Sequence, residues 1–223
     1  MSRRVRLLLG AVILVVNALQ WVIIEAVASA AWTAPPYSYA ANYISDLGVP
    51  ECGTQFQGRD ICSPLHAAMN ASFMLEGILF ATGVLLLAHL ATGRIRRVVI
   101  ALAITHGVGM VLVGLFHGSP DGPSLGLVIH ATAAGIGILC ANTLVIMAGA
   151  LRSLGLPAAY RVFSIAVGSL GLLSEAFVGL SPSTAGVFER GGVYSWLLWS
   201  VVTGTLLLVK DRRNHTVVEN VVA

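Results

Sequence analysis

Residues Leu7 to Ala31 read LLLGAVILVVNALQWVIIEAVASAA and follow three arginines, Arg3, Arg4 and Arg6; this stretch decides the class of the chain. A helix needs about 20 predominantly apolar residues to cross the roughly 30 Å hydrocarbon core of a bilayer, and this run exceeds that length. The preceding arginines resemble the n-region of a signal peptide. The apolar run is too long for a typical h-region, however, and Ala28–Ala31 forms only a weak cleavage pattern, so the segment reads as an uncleaved helix.

Five further runs of the same kind follow: His66–Ala91, Val98–His117, Gly126–Leu151, Val162–Ser181 and Gly192–Val209. Composition agrees with this pattern. Of 223 residues, 57% are hydrophobic and 10% charged, with a mean hydropathy of +0.85. A soluble domain carries roughly a quarter charged residues. The chain is too apolar for a water-facing surface, which excludes disordered, coiled-coil, disulfide-scaffold and nucleic-acid-binding classes. The expected fold is all-α, a single polytopic domain over residues 1–223 built as a six-helix transmembrane bundle.

Basic residues set the expected orientation. With the N-terminus cytoplasmic, Arg3, Arg4, Arg6, Arg94, Arg96, Arg97, Arg152, Arg161, Lys210, Arg212 and Arg213 all fall inside, leaving only Arg59 and Arg190 outside. The positive-inside rule therefore predicts both termini cytoplasmic in a multi-pass protein of the cell membrane. The same asymmetry accounts for the pI of about 9.0 without a nucleic-acid partner. Loops 92–97 and 152–161 are short, which makes helices two and three, and four and five, antiparallel neighbours. The long loop 32–65 is the expected cap over the outer face. Its Trp32, Tyr37, Tyr39 and Tyr43 suit the headgroup layer. Val113-Gly114-Leu115 before Ser119-Pro120 echoes Val178-Gly179-Leu180 before Ser181-Pro182, a short hint of repeated hairpins.

Cys52 and Cys62 share the outer loop on the oxidising side, where a disulfide persists. Their spacing is not that of a CxxC redox pair and no histidine lies between them, so a structural disulfide is expected. Cys140, inside the fourth helix, reads as a small buried hydrophobe.

Ionisable groups inside a span cost at least roughly 2.5–3.5 kcal/mol on insertion scales, which makes each a candidate functional residue. The spans contain Glu25, Glu76, His106, His130 and Glu175, with Asn17, Gln20, Asn70 and Asn142 as neutral polar companions. At about 100° per residue, His66, Asn70 and Glu76 share one arc of the second helix. Glu25 and Glu175 each lie six residues from the outer end of their expected spans. His66, His117, Asp121 and His130 sit at outer helix ends, and Glu189 and Arg190 precede the sixth span. The expectation is an outward-facing polar pocket under the long loop, lined by Glu25, His66, Asn70, Glu76, His106, His117, Asp121, His130 and Glu175. Each of these residues also has a plain structural reading, as neutral or hydrogen-bonded glue between helices.

Such a pocket is expected to bind a lipid or another amphiphile, or to support a membrane partner. The alternative is an intramembrane enzyme acting on a lipid-like substrate, with Glu25, Glu175 and His130 as acid–base candidates or with a metal activating water. The sequence contains no HExxH, HxxxH or GxSxG motif, so it names neither a metal nor a cofactor and leaves catalysis undecided. Small-xxx-small pairs such as Gly114/Gly118, Ala133/Gly137 and Gly137/Ala141 point to close helix packing and to a second copy or another membrane protein as candidate partner.

The stretch Tyr37-Ser38-Tyr39-Ala40-Ala41-Asn42-Tyr43-Ile44-Ser45-Asp46-Leu47-Gly48 resembles the hallmark of the domain-of-unknown-function 998 family, multipass membrane proteins of bacteria and archaea. Ser63–Gly77, His130–Asn142 and Gly186–Arg190 are similar as well, so the resemblance covers nearly all of the chain except the basic tail. The turn Phe116-His117-Gly118-Ser119-Pro120-Asp121 departs from the more compact Phe-Pro turn expected there. The resemblance transfers no catalytic residue. It implies weight on the outer face, where Asp46, pairing with Arg59 or Arg190, and Glu189 would pin the loop over the bundle.

Overall fold

The computed structural model describes residues 1–56, 58–118 and 124–222. Among them are six long helices: α1 (Arg3–Ala31), α2 (His66–Leu87), α3 (Gly93–Leu115), α4 (Leu125–Ala150), α5 (Ala158–Phe177) and α6 (Ala185–Val222). Each packs on the next, and α6 returns to α1, so the helices close into a ring in chain order. Segment 32–65 and the links that leave α3 at Phe116 and α5 at Val178 lie at one end, the loop face. The other end, the basic face, gathers the short links near 88–92 and 151–157. There Arg4 pairs with Asp211 at 3.0 Å, and Lys210 Nζ donates to the Leu154 carbonyl at 2.9 Å.

The chain is a multi-pass integral membrane protein. Five of the helices are long and apolar enough to cross a bilayer by length and composition. The fifth helix of the ring, α5, is not among them. Tyr160, Arg161 and Glu175 dilute its 20 residues, although their rise of about 30 Å matches the hydrocarbon thickness.

Helix α1 shows how the ring is solvated by lipid. Val12, Val16, Leu19, Ile23 and Val27 recur every three or four residues on its exposed face, while Leu14, Asn17, Trp21, Glu25 and Ala28 face inward and are buried. An apolar outside and a partly polar inside reverse the pattern of a water-soluble helix. Glycines sit where neighbouring backbones come closest. A Cβ on Gly77 would lie 2.6 Å from the Gly107 carbonyl oxygen, and one on Gly107 would lie 2.8 Å from that of Gly77, which seals α2 on α3. Gly168 against Asn142, between α5 and α4, and Gly204 against Ala11, between α6 and α1, repeat the arrangement.

Several expected boundaries shift, α6 running on to Val222 past the expected Val209, and two of the shifts move site residues. Helix α5 stops at Phe177, because Gly179 turns the chain with φ +87° and Pro182 follows; Glu175 therefore lies in the last turn, closer to the loop face than the sequence indicated. Helix α6 starts at Ala185, so Glu189 and Arg190 are on the helix and not in the loop before it. The helix can include both charges because each is satisfied there, as described below. The hairpin echo also separates. Gly114 is helical, with the Asn70 carbonyl against it, whereas Gly179 is the left-handed turn residue; Ser119-Pro120 lies outside the described residues.

The 32–65 segment is an ordered cap. It contains a 3₁₀ turn (Ser45–Gly48) and an antiparallel hairpin of β1 (Cys52–Phe56) and β2 (Arg59–Cys62), in which Cys52 and Cys62 stand opposite one another and form a disulfide. Of its aromatic rings, Tyr37 and Tyr43 are half-buried and Tyr39 is exposed. Trp32 is buried. Tyr43 stacks under Arg59 at 4.3 Å, and Tyr39 under Arg190 at 4.7 Å.

Candidate functional site

The polar residues sort into three groups, where the sequence suggested two, a pocket and a set that pins the loop. The first is a closed knot in the middle of the ring. Glu76 on α2 accepts from Asn17 Nδ2 on α1 at 3.2 Å and from Trp196 Nε1 on α6 at 3.0 Å, both at Oε1. Its Oε2 lies 3.0 Å from His106 Nε2 on α3, and His106 Nδ1 donates to the Gly137 carbonyl on α4 at 2.9 Å. Four of the six helices and a carbonyl of a fifth element of the ring thus converge on two side chains that are fully buried. One proton is shared between Nε2 and the carboxylate, and the pair is neutral overall on whichever atom that proton rests. Phe80 and Trp196 cover the imidazole at 4.6 and 5.3 Å. Glu76 and His106 therefore do not line an outward pocket.

The second group fastens the cap. Arg190 on α6 donates from Nε to Glu25 Oε1 at 3.0 Å and from Nη1 to the carbonyls of Tyr39, Asn42 and Gly186 at 2.8, 2.9 and 3.1 Å. Its Nη2 donates to the Tyr37 hydroxyl. Glu25 Oε2 in turn accepts from Trp21 Nε1 at 3.1 Å. The carboxylate expected to be a free acid or base is fully engaged, and it does not share a cavity with Glu175. Asp46 selects Arg59 of the two arginines open to it. The guanidinium approaches in a fork, Nε to Oδ2 at 2.7 Å and Nη2 to Oδ1 at 3.0 Å. Burial works against the Arg59 charge, but Asp46 outweighs it and holds its pKa above the ordinary value. Burial also pushes the Tyr43 phenol up. Glu189 accepts the backbone N–H groups of Ile44 and, at 3.4 Å, Ser45, capping the 3₁₀ turn. Asn70 Nδ2 donates to the Gly48 carbonyl at 2.8 Å, and His66 Nδ1 donates to the Ser63 carbonyl at 3.0 Å. Both belong to this fastening. Among the described residues His117 Nδ1 contacts the carbonyl of its neighbour Gly118, at 2.9 Å; Asp121 lies outside the described residues.

The third group lines a cavity of about 240 Å³ at the loop face, between α4, α5 and the start of α6 and beneath the 3₁₀ turn. Of the expected pocket residues it holds His130 and Glu175, joined by Asp46 and Glu189 from the cap fastening. His130 Nδ1 donates to the Phe116 carbonyl at 2.6 Å, which leaves Nε2 as the acceptor nitrogen of the neutral ring. Glu175 makes no hydrogen bond among the described residues, and its Oε2 is buried without a partner. Across from these groups the wall is apolar: Leu127, Ala131, Ala134, Ile138 and Val178. Among the described residues no three histidine, cysteine or acidic side chains come together to hold a metal. Tyr43 and Ser45, which also line the cavity, carried no sequence signal as site residues, because only the fold of the cap brings them there.

A family model described as "Protein of unknown function (DUF998)" matches residues 5–206. The chain belongs to this family. The match in this DUF998 protein spans all three polar groups, from Asn17 and Glu25 on α1 to Glu189, Arg190 and Trp196 on α6. No curated protein and no solved structure matches the chain.

Proposed function

We propose that this DUF998 protein binds the polar end of a lipid or other amphiphile in the loop-face cavity, with both termini cytoplasmic and that face outside the cell membrane. The orientation is supported by the distribution of arginine and lysine, since the basic face holds the three N-terminal arginines, Arg94, Arg96, Arg97, Arg152 and Lys210. The observation that carries the binding role is Glu175. Its carboxyl stands at the wall of a largely apolar space of about 240 Å³, one of its oxygens is buried, and no hydrogen bond among the described residues offsets that burial. Binding pockets combine a largely apolar lining with a few polar groups of this kind.

The test uses the full chain, gently solubilised from its own membrane, beside Gly135→Leu. Gly135 lines the cavity, and a Cβ there meets nothing closer than Glu175 Oε1 at 3.9 Å, so leucine enters the cavity without displacing backbone. Native mass spectrometry is expected to find an amphiphile adduct of one per chain on the parent protein, with at least tenfold lower occupancy in Gly135→Leu at unchanged thermal stability. Equal occupancy in both proteins would overturn the cavity as the binding site.

A further inference from the structure

We infer that the amphiphile carries a hydrogen-bond-donating ammonium head and not a phosphate, sulfate or carboxylate head, a conclusion that rests on the cavity being the binding site. The polar atoms facing the space decide the sign. Glu175 receives nothing from the described protein; its Oε1 lies beside cavity-lining Gly135, 3.9 Å from where a Cβ would stand, while Oε2 is closed off from water. Glu189 lines the wall and, among the described residues, takes the N–H groups of Ile44 and Ser45. This consumes the Ser45 amide as a donor. His130 Nδ1–H is occupied by the Phe116 carbonyl, so the neutral ring has only Nε2, an acceptor, left to offer. The wall is thus rich in acceptors.

The cations that could recognise an anionic head are committed elsewhere. Arg59 is forked onto Asp46, and Arg190 is held by Glu25, three carbonyls and the Tyr37 hydroxyl. Neither lines the cavity, and among the described residues no lysine or arginine does. An anionic head placed there would find acidic groups and no compensating positive charge, which disfavours it. An ammonium group reverses each term, because its three N–H donors match Glu175 and the free acceptor capacity of Glu189 and His130 Nε2.

Size and wall chemistry complete the match. A space of about 240 Å³ lies below the roughly 300–1,000 Å³ typical of sites that enclose a whole drug-sized ligand, so it takes a head and its first carbons only. The apolar face formed by Ala131, Ala134 and Ile138 on α4 follows the helix away from the cap and gives those carbons their contact. An ammonium head of this kind belongs either to a single-chain amine or to an aminophospholipid.

The full chain is solubilised in a non-ionic detergent and titrated separately with dodecylamine, dodecyl phosphate, phosphatidylethanolamine and phosphatidylglycerol, with bound ligand counted by native mass spectrometry. Dodecylamine is expected to bind one per chain at least tenfold more tightly than dodecyl phosphate. Phosphatidylethanolamine retained over phosphatidylglycerol assigns an aminophospholipid, and retention of the single-chain amine alone assigns that class; both support the ammonium head. Glu175→Gln should weaken the amine about tenfold at unchanged thermal stability, and Glu175→Lys should reverse the preference toward dodecyl phosphate. Equal binding of amine and phosphate, or tighter binding of phosphate, overturns the ammonium assignment while leaving the cavity a binding site. No ligand of either charge on the parent protein, with Gly135→Leu indistinguishable from it, overturns the cavity reading itself.

Discussion

Glu76 and Glu175 are both carboxylic acids carried on helices of one apolar ring, and they have opposite surroundings. Glu76 is fully buried and receives an amide, an indole and an imidazole from three other helices. Glu175, in the last turn of α5, receives nothing from the described residues; it lines a cavity, and one of its oxygens is buried. Burial in a span raises suspicion of function equally for both. The count of partners separates them: a saturated group holds helices together, and an unsaturated one beside empty space is available to a ligand.

Three substitutions test that contrast. The largest expected effect is at the knot. Glu76→Leu leaves Asn17, Trp196 and His106 without their acceptor inside the ring, and should lower stability by about 3–5 kcal/mol, the usual cost of breaking a buried charged pair from one side. Thermal unfolding in detergent reads this directly, and an unaltered midpoint would show that the knot does not hold the ring.

Next comes the cap. Arg190→Met removes every donation to Glu25, Tyr37, Tyr39, Asn42 and Gly186 at once. A loss of about 3 kcal/mol is expected, by the same one-sided argument. Its signature is local: amide hydrogen exchange over residues 37–48 should accelerate strongly while that of α3 and α4 stays as it was. Uniform exchange across the chain would mean that Arg190 supports the whole ring and not the cap.

The smallest effect belongs to Glu175. Glu175→Gln should leave stability within about 0.5 kcal/mol of the parent, since no partner is lost. A drop of 2 kcal/mol or more would place Glu175 with Glu76 among the structural groups and remove the contrast.

Much of this was legible in the residues. The apolar runs, the arginine asymmetry and the Tyr37–Gly48 motif marked a multi-pass protein of this family, and Asp46 and Glu189 were marked as fasteners of the cap. The pairing was not legible. Asp46 had two arginines open to it, and which one it takes depends on the β1–β2 hairpin that carries Arg59 inward over Tyr43. Arg190 was assigned to a loop because charged residues end an apolar run. It lies on α6 because Glu25, 165 positions earlier in the chain, is there to receive it. Helical periodicity could group His66, Asn70 and Glu76 on one arc, but not separate the cap contacts of the first two from the enclosed knot of the third.

The sequence by itself determined the solvent of this protein, because apolar length and charge content are properties each segment has alone, and a bilayer reads them segment by segment. It also determined which residues would be costly to bury. Which of those costs are met was decided only by the tertiary structure. A hydrogen bond between helices depends on ring order, rotation and axial depth together, and no single segment specifies these. The ring brings three partners to the Glu76–His106 pair, five acceptors to Arg190 and, among the described residues, none to Glu175.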